Sequence, residues 1–153
     1  MNKILIVLIL LFFVSCEDNK LVLNKQAPNI LAKTTALNKI ELKRQGIELI
    51  EFWQNGCAAC LKVMAGLNEF ANENNISIYA INSIDDLNTI KKHELEHQYS
   101  NMIFLKDEED ISWSRYDIFA VPTLFILKDG VYVDKVLGDR SLEFLTNKIK
   151  EYL

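Results

Sequence analysis

The feature that most constrains this chain is a pair of cysteines, Cys57 and Cys60, separated by two alanines and preceded by a short apolar segment. The segment Ile47–Trp53 is rich in apolar and aromatic residues, which predicts a buried strand. Residues 58–70 are good helix formers whose apolar side chains repeat at helical spacing. The two cysteines therefore lie on a turn between a strand and a helix.

This position suits redox chemistry. A thiol at a helix N-terminus faces free backbone N–H groups and the positive end of the helix dipole, and both favour the reactive thiolate. Cys57 is the predicted nucleophile, and Cys60, one turn deeper, can close a disulfide with it. Two alternatives are a pair of buried structural cysteines and half of a zinc site. A zinc site normally needs four ligands, and the chain has no second cysteine pair.

The first 16 residues predict an export signal. They carry one charged side chain, Lys3, followed by 11 apolar residues from Ile4 to Val14. This run is shorter than the roughly 20 residues that span a bilayer, and its length is typical of a signal peptide. The segment ending at Cys16 resembles a bacterial lipobox, in which the cysteine is lipidated and begins the mature protein. An ordinary cleaved signal with an incidental cysteine is the alternative, but lipidation leaves an even pair of thiols for an exported chain.

The remaining residues predict a short tether and one domain. Residues 17–26 are mostly polar and form the predicted tether, and residues 27–153 have the length of a single domain with its own core. The whole chain has a net charge of −4, and loss of residues 1–16 with their one lysine changes this to −5. This acidic balance argues against a nucleic-acid partner.

The apolar pattern along the domain predicts an α/β fold with a mixed sheet of about five strands flanked by helices. A short edge strand is predicted at Ile40–Leu42, and a second buried strand at Ile76–Ile81 completes a right-handed βαβ unit. A helix capped by Ser83 is predicted to run to about Tyr99.

The second half of the domain predicts one further strand and then two strands that pair through a tight turn. A strand at Met102–Leu105 is followed by a helix at Asp107–Tyr116, and then by a strand that begins at Pro122. Lys128–Gly130 predicts a hairpin, and Ser141 caps a final amphipathic helix.

The predicted helix after Ser83 contains a literal H-E-x-x-H pattern, the zinc-protease signature, from His93 to His97. At 100° per residue, Ile84 and Leu95 lie on one side of the helix and both histidines on the other. We therefore expect the histidines to face solvent and no metal to be bound. A weak surface metal site through His93 and His97 is the alternative.

Taken together, these motifs resemble a thioredoxin fold. They are F-W-x-x-x-C-x-x-C on a strand-to-helix turn, V-P-T at the start of a later strand, a K-D-G hairpin and a terminal helix. An α/β insertion at about residues 84–105, before the V-P-T strand, and the export signal resemble the TlpA/ResA group of membrane-anchored thiol-disulfide oxidoreductases. The two alanines between the cysteines depart from the proline-containing dipeptides that are frequent in this fold.

The resemblance implies roles for individual residues. Cys57 is the attacking thiol and Cys60 the resolving thiol, so the redox-active disulfide itself replaces any bound cofactor. Pro122 is expected to be a cis-proline against the disulfide, the Val121 backbone to pair with an extended substrate, and Trp53 to contact the substrate.

Glu51 occupies the place of thioredoxin's buried acid, which assists proton transfer at the resolving thiol. A carboxyl on a buried strand beside two sulfurs has a raised pKa and can act as a general acid or base. Glu48 in the same strand is an equal candidate by the alternation of strand side chains. A glutamate facing water at the edge of the strand is the third possibility.

The implied activity is dithiol–disulfide exchange with exported protein substrates, as a reductant, for example of apocytochromes during cytochrome c maturation. An upstream membrane redox donor would restore the dithiol, and the protein would be lipid-anchored to a bacterial membrane, facing the periplasm. A thioredoxin-like chaperone or assembly factor that binds peptides with little turnover is the alternative function.

Overall fold

The computed structural model describes residues 20–153. The predicted signal peptide 1–16, its lipidation site Cys16 and the first residues of the tether lie outside the described residues. Within the described part of the chain, no helix has the length and apolarity needed to cross a membrane.

Six strands and four helices form the described domain. The strands are β1 (Lys33–Thr34), β2 (Ile47–Phe52), β3 (Ser77–Asn82), β4 (Met102–Lys106), β5 (Thr123–Lys128) and β6 (Val131–Leu137). The helices are α1 (Ala58–Glu73), α2 (Leu87–His97), α3 (Ile111–Arg115) and α4 (Leu142–Lys150).

The strands form one mixed sheet in the order β1-β4-β3-β2-β5-β6. The central strand β2 pairs in parallel with β3 and antiparallel with β5, and all six of its residues are buried. One apolar cluster packs α1, α2 and α4 against one face of the sheet, and a second cluster packs the N-terminal segment and α3 against the other. The predicted α/β class and mixed sheet are confirmed, with one strand more than the five expected.

The predicted insertion between β3 and the Pro122 strand is present as α2 and β4. Strand β4 pairs in parallel with β3 and so extends the sheet on the side away from β5. The Lys128–Gly130 turn is also present, and both Asp129 and Gly130 have a positive φ. This geometry is typical of the tight turn that joins two antiparallel strands.

Three local predictions were wrong. The first strand is Lys33–Thr34, because these residues pair with the end of β4, whereas the predicted Ile40–Leu42 strand is loop that buries the Leu42 side chain. Helix α2 begins after Asp86, whose side chain accepts a hydrogen bond from the Thr89 N–H, and Ser83 is not its cap.

The third wrong prediction is the long helix at Asp107–Tyr116. Helix α3 has only five residues. The buried carboxylate of Asp107 accepts hydrogen bonds from the backbone N–H groups of Ser112 and Trp113, so the residues between Asp107 and the helix form a loop and not a helical turn.

The described end of the predicted tether, residues 20–26, lies against the domain. Asn24 donates its backbone N–H to the Tyr132 carbonyl at 2.8 Å, and Tyr132 donates its own to Lys25 at 3.0 Å. This segment therefore covers part of the edge strand β6.

Two buried glutamates of β2 lie on opposite faces of the sheet. Glu48 lies on the face of the second cluster, where its carboxylate accepts hydrogen bonds from the N–H groups of Lys43 and Arg44 at 2.7 and 2.8 Å and from the Tyr79 hydroxyl at 3.0 Å. Glu48 thus holds the turn that leads into the central strand. Glu51 lies on the face of the first cluster.

We predict that Glu48→Ala lowers the free energy of unfolding by about 2–4 kcal/mol, because three partly buried donors lose their acceptor. Urea denaturation measures the change. The exposed Glu41→Ala is the matched control and should change stability by less than about 0.5 kcal/mol. Equal effects of the two substitutions would contradict a structural role for Glu48.

Candidate active site

The two cysteines form a disulfide at the start of α1. Cys57 is the residue that caps the helix, and its Sγ accepts a hydrogen bond from the Cys60 backbone N–H at 3.1 Å. Cys57 is partly exposed, whereas Cys60 is completely buried. One sulfur is therefore accessible from solvent and sits beside a backbone N–H donor, which stabilises a thiolate at this position.

The loop before Cys57 is fixed at both ends. The Cys57 N–H donates to the Gln54 carbonyl at 3.0 Å, and the Asn55 N–H donates to the carboxylate of Asp85 at 2.6 Å. Asp85 also accepts a hydrogen bond from the Asn82 side chain. Asp85 was not among the site residues predicted from the sequence, although it follows shortly after β3, the strand that pairs in parallel with β2.

The Val121–Pro122 peptide bond is cis. Pro122 lines a small cavity together with Glu51 and with Ala59, which lies between the cysteines. Within residues 20–153, neither the N–H nor the C=O of Val121 has a hydrogen-bond partner. This partly exposed backbone is thus free to pair with an extended chain.

Glu51 is buried on the same sheet face as α1. Burial raises its pKa from 4.5 to about 8, and one carboxyl oxygen has no hydrogen-bond partner among the described residues. The cavity that it lines has a volume of about 10 Å³, close to the space needed by one water molecule. The structure therefore distinguishes the two candidate acids. Glu48 lies on the other face of the sheet, and both of its carboxyl oxygens accept hydrogen bonds.

Trp53 is placed differently from our expectation. Its side chain is completely buried, and its ring packs against His93 and Phe104 with centroid distances of 4.8 and 5.4 Å. The prediction that Trp53 contacts the substrate is not compatible with this burial in the oxidised protein. Its ring fills the space between the central strand and the inserted α2–β4 unit.

The prediction for the two histidines was wrong for His93. His93 is only 5% exposed, whereas Ile84 and Leu95, which were expected to face the core, are 57% and 62% exposed. The helix starts later than predicted, and Trp53 and Phe104 offer an aromatic surface that accepts an imidazole ring. His97 is exposed, as expected, and its ring stacks on His93.

The site offers no evident metal centre within the part of the chain that the structure describes. No group of three or more His, Cys, Asp or Glu side chains there is arranged to hold a metal ion. The Nδ1 atom of His97 lies 2.9 Å from the His93 carbonyl oxygen, which orients its ring along the helix.

The disulfide lies at an open surface. Two cavities of about 370 and 390 Å³, one at the β1 edge of the sheet and one between α1 and α4, are lined by neither cysteine. The geometry at Cys57 thus suits a macromolecular substrate better than a small molecule enclosed in a cleft.

Comparison with known sequences finds similar proteins along most of the chain. No protein-family model matches it. A thioredoxin of Staphylococcus saprophyticus is 26% identical over 123 residues, which cover 80% of this chain and 98% of that protein. The thiol-disulfide oxidoreductase ResA of Bacillus cereus is 25% identical over 142 residues, which cover 88% of this chain and 81% of that protein.

Solved structures show the same fold. The thioredoxin domain of a thiol-disulfide oxidoreductase from Bacteroides vulgatus has a TM-score of 0.72 at 23% identity, covering 87% of this chain and 99% of that chain. A secreted disulfide oxidoreductase of Mycobacterium tuberculosis, described as homologous to Escherichia coli DsbE, has a TM-score of 0.69 at 17% identity, covering 78% and 93%.

The expected thioredoxin fold is thereby confirmed. The fold, the Cys57–Cys60 disulfide and the sequence relatives together make this chain a thioredoxin-like thiol-disulfide oxidoreductase.

Proposed function

We propose that this protein is an extracytoplasmic reductant that exchanges its Cys57–Cys60 pair with disulfides of exported proteins. The observation that carries the proposal is the contrast between the two sulfurs: Cys57 is partly exposed at the N-terminus of α1, and Cys60 is buried directly behind it. This arrangement supports one attacking and one resolving thiol.

The first step is attack by the Cys57 thiolate on one sulfur of a substrate disulfide. A mixed disulfide forms, and the displaced substrate sulfur leaves as a thiolate and takes a proton. The backbone N–H of Cys60, which donates to Cys57 Sγ in the disulfide form, favours the thiolate before attack.

In the second step Cys60 loses its proton and attacks Cys57 Sγ, which releases the second substrate thiol. The reaction transfers two electrons and two protons from the dithiol to the substrate disulfide. Glu51 is the proposed proton acceptor for Cys60. Its carboxyl is buried on the same sheet face, and with a pKa raised to about 8 it is ionised in a minority of molecules near neutral pH, which is the form that takes the thiol proton. A dithiol donor at the membrane would then reduce the oxidised pair.

The substrate is proposed to bind as an extended segment beside the cysteines. The free backbone groups of Val121 support this mode, since an extended peptide pairs with unpaired main-chain groups at an edge. Pro122 closes the adjacent side of the site. An apocytochrome, held unfolded before haem attachment, is the proposed example of such a substrate.

The proposed location of the domain is outside the cytoplasm, on a lipid anchor at Cys16. The run of 11 apolar residues and the lipobox-like end at Cys16 support this location. The protein would then act at the surface of a bacterial membrane, facing the periplasm.

We predict that Cys57→Ser abolishes reduction of insulin disulfides by the dithiol form, because the accessible thiol of the Cys57–Cys60 pair is lost. Cys60→Ser should instead accumulate mixed disulfides with exported proteins, which are separated on non-reducing gels and identified by mass spectrometry. The double variant should trap nothing. Insulin reduction at the wild-type rate by Cys57→Ser would overturn the mechanism.

We predict that Glu51 makes the stability of the oxidised protein depend on pH. The folded protein keeps this carboxyl protonated up to about pH 8, whereas the unfolded chain releases the proton near its ordinary value of 4.5. The free energy of unfolding should therefore fall as pH rises from about 4.5 to about 8, by roughly a few kcal/mol, and level off above it.

Urea titrations of wild type and Glu51→Gln across this range test the assignment. The amide does not ionise, so the variant should gain stability relative to wild type as the pH rises. The exposed Glu41→Gln is the matched control and should follow the wild-type curve. Parallel curves for Glu51→Gln and wild type would contradict a buried, protonated Glu51.

We predict that the full chain produced in a bacterium is labelled by radioactive palmitate and sediments with membranes, and that Cys16→Ala loses both properties. Cys57→Ser is the control, because it removes a cysteine that is not the lipid site and should keep the label. Labelling of Cys16→Ala would contradict lipidation at this residue.

A further inference from the structure

The H-E-x-x-H segment is not used in the exchange steps described above, yet one of its histidines, His93, lies in the core beside the active site. The His93 ring packs on Trp53 with a centroid distance of 4.8 Å and on Phe104 at 5.3 Å. On its outer side it stacks on His97 at 4.1 Å, with the rings inclined by 26°. His93 is therefore the inner ring of an aromatic stack that runs from the helix surface to the central strand.

The environment of His93 favours a neutral ring that packs as an aromatic side chain. The Nε2 atom is buried and has no hydrogen-bond partner among the described residues. The rings that face it, Trp53 directly after β2 and Phe104 in β4, carry no charge. Burial and the neighbouring His97 lower the pKa of His93, and Glu96 opposes them to a smaller extent. A charged imidazolium here would lack both solvent and a buried acceptor.

Trp53 connects this stack to the reactive sulfur. Its backbone N–H donates to Ile81 of β3 at 3.1 Å, and four residues later the chain reaches Cys57. The same inserted unit holds the loop at a second point, through the hydrogen bond from Asn55 to Asp85. In addition to the Trp53–Ile81 hydrogen bond, the loop before the disulfide is thus held by one polar contact, to Asp85, and by the aromatic contact between Trp53 and His93.

We propose that His93 is a positioning residue, whose stack on Trp53 holds the Trp53–Cys57 loop in the geometry that stabilises the reduced, thiolate form of the active site. The inference rests on the proposed exchange function and deepens it. His93 acts through Trp53 and does not touch the sulfurs or the substrate.

The physical consequence follows from the hydrogen bond at Cys57. The Cys60 N–H can stabilise a thiolate only while the loop keeps Cys57 Sγ within reach, 3.1 Å in this structure. A looser loop weakens this interaction in the reduced form, where no covalent bond holds the sulfurs together. Loss of the stack should therefore disfavour the dithiol relative to the disulfide.

The experiment is equilibration of the purified domain with glutathione buffers, which gives the reduction potential. We expect His93→Leu, which keeps apolar volume but removes the ring, to shift the dithiol–disulfide equilibrium constant about two- to tenfold toward the disulfide. The tenfold limit is a potential about 30 mV more negative. His93→Phe keeps a ring and should restore the wild-type value within about twofold.

A second readout is the pH dependence of Cys57 alkylation by iodoacetamide. Its midpoint should move to higher pH in His93→Leu and return in His93→Phe. If the leucine variant does not fold, His93→Met fills the same space with a flexible side chain and should show the same shifts.

Ile90→Ala is the matched control, because Ile90 is the other buried side chain of α2 and has no ring to stack on Trp53. It should lower the free energy of unfolding and leave the potential unchanged. Equal potentials for wild type and His93→Leu, or an equal shift in Ile90→Ala, would overturn the positioning role. Failure of the wild type to equilibrate with glutathione would instead overturn the exchange function itself.

Discussion

The burial of β2 is the constraint on which the rest of this structure depends. Every residue of the strand is buried, so both of its faces must be covered and both of its edges paired. The strand therefore ends at a fixed place, and the helix that follows begins at Cys57. The position of the reactive sulfur depends on this rigid junction, because the direction of the helix axis sets the direction of the N–H groups that favour a thiolate.

Two glutamates on this strand show how the same residue type takes opposite roles. Glu48 is surrounded by donors from a backbone turn and a tyrosine, so it stabilises the fold. Glu51, three positions later, faces apolar helix residues and Pro122, and one of its oxygens has no partner among the described residues. Ionisation of a carboxyl in such an apolar site is unfavourable, and this raises its pKa into a range that suits proton transfer near neutral pH.

Much of this architecture could be predicted from the sequence because its signals are local. The strand-to-helix turn at Cys57, the strand beginning after Pro122 and the Asp129–Gly130 turn each depend on a few adjacent residues. The burial of His93 could not be predicted in this way. A helical wheel sorts side chains by their angle around the helix axis, and it contains no information about the aromatic rings of Trp53 and Phe104, which the end of β2 and strand β4 bring to the helix. The position of β1 was missed for a similar reason, since its two residues form a strand only by pairing with β4.

The complete burial of Cys60 limits the order in which partners can react. Of the two sulfurs, only that of Cys57 can be attacked from outside, so the proposed donor and an oxidised client would use the same sulfur and the same patch of surface. The two proposed partners would then exclude each other from the site. In the proposed cycle, electrons would pass through a free, reduced protein between two separate encounters, a ping-pong scheme in which the donor and the client compete for one site.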